Sequence, residues 1–163
     1  MTTELNVAIL RADPLSWAGY GYSIRRDDVE LTQLRITLFR SRGSFQLDGE
    51  DFSLKPRGFL GRDVEMIRGG SVIARSTRPS LLRRRFEVSS AGHHLVLESR
   101  SWTGRKYVLL LGSQEVGRVT REGWIGKKME LDFPNEVPVV LQILLVYLVA
   151  CEAKREAAAA SGS

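Results

Sequence analysis

The stretch that decides the fold is Val137-Pro138-Val139-Val140-Leu141-Gln142-Ile143-Leu144-Leu145-Val146-Tyr147-Leu148-Val149-Ala150-Cys151, fifteen residues of which only Gln142 is clearly polar. Asn135 is placed to cap a helix, Glu136 suits its first turn, and Pro138 is tolerated where backbone N–H groups have no helical partner. Lys154 and Arg155 suit a last turn. The spacing therefore predicts a helix over 136–155, about 30 Å long at 1.5 Å per residue. Its apolar side chains point in all directions, so it belongs inside protein or inside a membrane. A span needs about 20 apolar residues, whereas this run is shorter and contains a proline and a glutamine. The buried reading is preferred over a tail anchor.

Outward from that helix, toward the N-terminus, the chain alternates. Leu34, Ile36 and Leu38 share one face, Met129, Leu131 and Phe133 another, and Phe86/Val88 and Val64/Met66 repeat the pattern. Turn signals separate these segments: Asp48-Gly49, Gly69-Gly70, Ser90-Ala91-Gly92 and Gly112-Ser113. About a dozen short strands between residues 5 and 133, joined as antiparallel hairpins, follow from this spacing. A sheet of so many strands avoids exposed edges by closing, and a closed barrel needs a filling. The apolar helix supplies it. The expected fold is mainly β: a closed antiparallel barrel of about twelve strands around a central hydrophobic C-terminal helix. A single domain over 1–155 and a disordered tail over 156–163 complete the expected organisation.

The body contains a repeat. Residues 61–78 align without gaps on 104–121: Gly61 with Gly104, Arg62 with Arg105, Gly69 with Gly112, Arg75 with Arg118, Thr77 with Thr120 and Arg78 with Arg121. The register extends from Phe59/Trp102 to Phe86-Glu87-Val88/Met129-Glu130-Leu131. Two units cannot close a propeller, so a duplicated group of hairpins within one sheet is the reading.

These segments resemble the tubby C-terminal-like superfamily, which includes the LURP-one-related proteins and the phospholipid scramblases. The likeness rests on Phe59-Leu60-Gly61-Arg62-Asp63-Val64-Glu65-Met66-Ile67 with Gly69-Gly70 and Val72-Ile73-Ala74-Arg75. It rests also on Trp102-Thr103-Gly104-Arg105-Lys106-Tyr107-Val108 with Glu115-Val116-Gly117-Arg118-Val119, and on the closing helix. It implies a twelve-stranded barrel around a hydrophobic helix, and lipid-headgroup or membrane binding as the activity of some members. Neither the tubby headgroup-binding motif nor a scramblase calcium segment has a counterpart here.

Catalytic chemistry is sparse. His93-His94 are adjacent on a strand and face opposite ways, so they cannot share a metal. Cys151 is the single cysteine, which excludes a disulfide framework or a four-cysteine zinc site and reads as an inert helix residue. Gly19-Tyr20-Gly21 lacks the rest of a dinucleotide fingerprint, and Asp27-Asp28 and Asp48-Gly49-Glu50-Asp51 lack EF-hand spacing. There is no P-loop or nucleophile elbow. The reading is a protein that is not an enzyme and uses no cofactor or metal. The N-terminus lacks the pattern of a signal peptide, which points to the cytoplasm or the cytoplasmic face of a membrane.

Charge is the remaining lead. The net charge is +5, with a balance of −2 over 1–51, +9 over 52–131 and −2 over 132–163. Arginine supplies 19 of the 24 basic residues. Arg75, Arg78, Arg84 and Arg85 recur as Arg118, Arg121, Lys127 and Lys128, making two similar basic patches that favour anionic partners. These eight are the candidate ligand-binding residues. Anionic phospholipid headgroups are the expected partner, a protein-interaction role with charge guarding strand edges is the alternative, and non-specific nucleic-acid binding is third. Trp17, Tyr20 and Tyr22 beside Arg25-Arg26 read as core or barrel-rim residues, with an interfacial surface as the other possibility.

Overall fold

The structure, a computed structural model, describes residues 9–16, 20–58, 61–80, 82–123 and 127–162. Twelve strands run β1 (Leu10–Pro14), β2 (Gly21–Arg26), β3 (Val29–Ile36), β4 (Gly43–Leu47), β5 (Glu50–Arg57), β6 (Asp63–Arg68), β7 (Ser71–Thr77), β8 (Arg85–Ser90), β9 (His93–Ser99), β10 (Lys106–Leu111), β11 (Gln114–Glu122) and β12 (Lys128–Asp132). Each pairs antiparallel with its sequence neighbours, and β1 closes the barrel on β12 through Leu10↔Leu131, Arg11↔Glu130 and Ala12↔Met129. One helix follows, α1 (Val139–Ser161).

The inward strand residues meet the helix. Leu10, Ile24, Leu34, Leu54, Met66, Leu97, Leu109 and Leu131 are fully buried, as are Ile143, Leu144, Leu145, Val146 and Val149 of α1. All of them belong to one cluster, so the helix is the core and the barrel is its wall. A fifteen-residue run without a polar face is thus satisfied by a wall that surrounds it. No helix among the described residues is long and apolar enough to cross a membrane.

Three sequence expectations change. The helix starts after Pro138, not at Glu136, because Pro138 occupies the capping position with extended backbone and Asn135 and Glu136 precede it. It also runs to Ser161, so the residues expected to fray continue the helix, and Lys154 and Arg155 sit well before its last turn. Four alanines are strong helix formers, and Glu156 is anchored by ion pairs described below. Leu38, expected on one strand face with Leu34 and Ile36, lies beyond the end of β3 and is exposed.

The duplication is structural, and it is threefold. The β6–β7 ladder pairs Val64↔Ser76, Glu65↔Arg75 and Met66↔Ala74, then shifts register between Met66 and Ile67. The β10–β11 ladder repeats this 43 residues on, with Tyr107↔Val119, Val108↔Arg118, Leu109↔Gly117 and a shift between Leu109 and Leu110. The β2–β3 ladder repeats it 42 residues earlier, with Tyr22↔Leu34, Ser23↔Gln33, Ile24↔Thr32 and a shift between Ile24 and Arg25. A bulge at one equivalent position in three ladders marks three copies of a four-stranded unit, because a bulge is a specified feature of a strand pair. The third unit, β10–β12, is completed by β1 from the other end of the chain.

Connections alternate between the two ends of such a barrel. At one end are five two-residue hairpins, 27–28, 48–49, 69–70, 91–92 and 112–113. Both residues of Gly69-Gly70 have positive φ, the backbone that a tight turn matching strand twist requires. At the other end are connections of five to seven residues: 15–20, 37–42, 58–62, 78–84, 100–105 and 123–127. The helix is fed in from the hairpin end, after β12, and emerges among the long connections.

Candidate functional site

The two ends differ in charge. The six long connections carry nine basic residues (Arg40, Arg42, Arg62, Arg78, Arg83, Arg84, Arg100, Arg105 and Lys127) and no acidic one. The five hairpin turns carry Asp27, Asp28 and Asp48 and no basic one. The long-connection end also exposes apolar side chains: Leu82 is 96% exposed, Trp102 91%, Phe39 79% and Leu38 66%. Leu15 and Tyr20 are partly exposed there too. Exposed Leu38-Phe39 precede Arg40 and Arg42, and exposed Leu82 precedes Arg83 and Arg84; these are equivalent connections of the first two units. The third, 123–127, reads Gly-Trp-Ile-Gly-Lys and falls largely outside the described residues.

Where the helix emerges, a polar cluster takes over from the core. Arg78 and Glu152, each with a side chain only 6% exposed, are in direct contact, and Arg78 also donates to the Ser80 carbonyl at 3.1 Å. The Arg78 guanidinium lies 5.8 Å from the centre of the Phe86 ring. Arg84 and Arg155 approach the same carboxylate at 3.8 and 4.0 Å. One turn further, Glu156 lies 2.5 Å from Arg84 and 3.9 Å from Arg121. The helix is fastened to each unit in turn. Lys154 donates to the Leu38 carbonyl at 2.9 Å and stands 5.0 Å from the Tyr20 ring centre. Arg155 donates to the Gly61 carbonyl at 3.1 Å, and Glu156 lies against Gly104. Tyr147 donates to the Ser41 carbonyl at 2.5 Å.

The eight candidate residues therefore divide. Arg78, Arg84 and Arg121 converge on the helix carboxylates, so the repeat delivers Arg78 to Glu152 and its equivalent Arg121 to Glu156. Arg75 and Arg118 stand on the outer wall, at 3.9 Å from Glu65 and 3.2 Å from Glu115. Arg85 bridges Glu87 and Glu98, both at 3.7 Å. Lys127 is half-buried and Lys128 exposed. Lys128 lines a mixed-charge hollow of about 560 Å³ with Arg11, Arg25, Asp27, Asp28 and Glu130. The structure does not gather the eight into two patches. The sequence reading does not single out Glu152, Glu156, Trp102, Leu82 and Phe39 as site residues; the signal for Leu82 and Phe39 is an apolar residue beside arginine in a segment too short to be a strand.

The other candidates separate. Tyr22 is buried, and burial pushes its hydroxyl up to about 12, with the charge of Arg121 partly offsetting this. Arg25 points to the hairpin turn, donating to the Asp28 carbonyl at 2.8 Å. Trp17 lies outside the described residues. Burial pushes the Cys151 thiol up to about 11, so it is protonated and unreactive at neutral pH. His93 and His94 open β9 opposite Ser90 and Ser89.

A groove of about 600 Å³ runs beside the cluster, lined by Arg78, Arg83, Arg84, Arg100, Trp102 and Glu152 among others. Compared with known proteins, the chain matches no family model, no curated protein and no solved structure.

Proposed function

We propose that the protein binds anionic phospholipid surfaces peripherally, with the long-connection end of the barrel as its docking face. The observation that carries this reading is the segregation of nine basic and no acidic side chains in the six long connections, eight of them besides the buried Arg78, next to exposed Trp102, Leu82 and Phe39. Tryptophan favours the headgroup level of a membrane, and each basic residue near an anionic surface contributes about 1 kcal/mol. A charge field alone would attract any polyanion, but large apolar tips fully exposed to water are explained by a second phase that receives them. The resemblance to the tubby-like superfamily points the same way.

Co-sedimentation with neutral and anionic vesicles at low and moderate salt tests the reading. Wild-type protein is expected to sediment with anionic vesicles at both salts. Leu82→Ser with Trp102→Ser weakens binding about tenfold or more, because both apolar tips are lost. Arg75→Glu with Arg118→Glu, on the outer wall, leaves it within about threefold. Wild-type protein remaining in the supernatant with every vesicle would sink the lipid reading and favour a protein partner for this face.

A further inference from the structure

Glu156 is a carboxylate that the chain itself supplies to a cluster of arginines. Its Oε1 lies 2.5 Å from Arg84 Nε and its Oε2 3.9 Å from Arg121 Nη1. Arg84 also donates to the Trp102 carbonyl at 2.5 Å, and Arg121 to the Gly104 carbonyl at 3.0 Å, so both guanidinium groups are held in place by backbone. Gly104 has φ of 69°, and a Cβ there would stand 2.9 Å from Glu156 Oε1. The glycine leaves room for an oxygen between the two arginines. Arg78, Arg84, Arg121 and Arg155 each lie within 4.0 Å of Glu152 or Glu156.

The two carboxylates are unlike. Glu152 is buried and held by buried Arg78. The Glu156 side chain is 28% exposed, its Oε1 gains no aligned hydrogen bond, and Ala157–Ser161 beyond it are exposed. The Arg84–Glu156 contact, with side chains 26% and 28% exposed, is nearer to solvent than the Arg78–Glu152 pair.

We propose that Arg84 and Arg121 form a binding site for a phosphomonoester, and that Glu156 occupies it as an internal stand-in which the phosphate displaces. A phosphomonoester carries more charge than a carboxylate and offers three oxygens to the two guanidinium groups that flank Glu156. The adjoining groove, with Arg83, Arg100 and Trp102 along it, takes the remainder of the molecule. The phosphate comes from a lipid headgroup or from a soluble ester; only the lipid source rests on the function proposed above.

Wild type, Glu156→Gln and Arg84→Gln/Glu156→Gln, all full length, are titrated with glycerol 3-phosphate by calorimetry. They are also sedimented with vesicles containing phosphatidic acid or, at matched surface charge, phosphatidylglycerol. Glu156→Gln is expected to bind glycerol 3-phosphate roughly fivefold tighter than wild type, with affinity lost in the double variant. Arg121→Gln in the Glu156→Gln background replaces the double variant if Arg84→Gln lowers the melting temperature. Tighter binding of Glu156→Gln to phosphatidic acid but not to phosphatidylglycerol supports the site and assigns a lipid source. Tighter glycerol 3-phosphate binding with no vesicle binding by any variant keeps the site and removes the lipid function. Equal glycerol 3-phosphate affinity in wild type and Glu156→Gln, or equal tightening on both vesicles, overturns the site and leaves the docking face standing.

Discussion

At the scale of single residues, the contact that matters most is Arg78 with Glu152. Both side chains are 6% exposed, so each would be a buried, unsolvated charge without the other. Removing one partner of such a pair costs about 3–5 kcal/mol, whereas replacing both by apolar residues is often neutral. The two single losses are not equal here. Arg78→Met leaves Glu152 with Arg84 and Arg155 nearby, but Glu152→Met sets an apolar side chain against the buried Arg78 guanidinium while Arg84 keeps Glu156. Denaturant unfolding should therefore rank Glu152→Met below Arg78→Met, with the double variant more stable than either. A double variant that loses the sum of the single effects would show that the pair acts independently of burial. The residue scale is also where the sequence was least legible. Arg78 and Arg121 stood out as repeated basic residues, and nothing in their spacing showed that both would face carboxylates arriving from Glu152 and Glu156.

At the scale of elements, the helix is the decisive part. Leu145 has no exposed surface and lies midway along the apolar part of α1, within the core cluster shared with the barrel wall. Leu145→Lys places an ammonium there without a partner, which no local relaxation can hydrate. The expected outcome is loss of cooperative thermal unfolding followed by circular dichroism; a soluble variant with a wild-type melting curve would mean the helix is not the core. This element was readable because an all-round apolar run has few destinations. Its bounds were not, since capping at Pro138 and extension through Ala157–Ala160 depend on the packing of Val137 and on the anchoring of Glu156. The strands were legible by alternation at Phe86/Val88 and Met129/Leu131. Alternation failed at Leu38, where an apolar residue continues the period but belongs to a connection and faces water.

At the scale of the molecule, three similar units close on one another, and the closure joins the two ends of the strand sequence. Strand β1 holds the edges of β2 and β12 together through ladders at Leu10↔Arg26 and Leu10↔Leu131. Deleting residues 1–14 should open both edges, expose the helix and produce aggregation, seen as void-volume material in size exclusion and absence of a cooperative melt. Monomeric protein with an intact melt would show that eleven strands suffice. The whole-molecule arrangement also decides the chemistry. A charge balance of +9 over 52–131 describes a basic stretch of chain, but the fold turns it into a basic end, because basic residues of five separate connections meet there. The opposite end keeps the aspartates of the hairpins.

By itself the sequence determined the mainly β class, the approximate number of strands, the buried helix and two of the three repeats. Each of these is a local pattern: a period of two, a run without a polar face, a recurring spacing. The third repeat is carried by Tyr22↔Leu34 pairing and its bulge, with few identities to the others, so it became visible only as a ladder. Only the tertiary structure decided which charges are neutralised within the molecule, which apolar residues face water, and that Leu38, Phe39, Leu82 and Trp102 share the end where the helix emerges. The physical reason is that alternate turns of a closed antiparallel barrel must lie at the same end, and no linear reading of charge contains that condition.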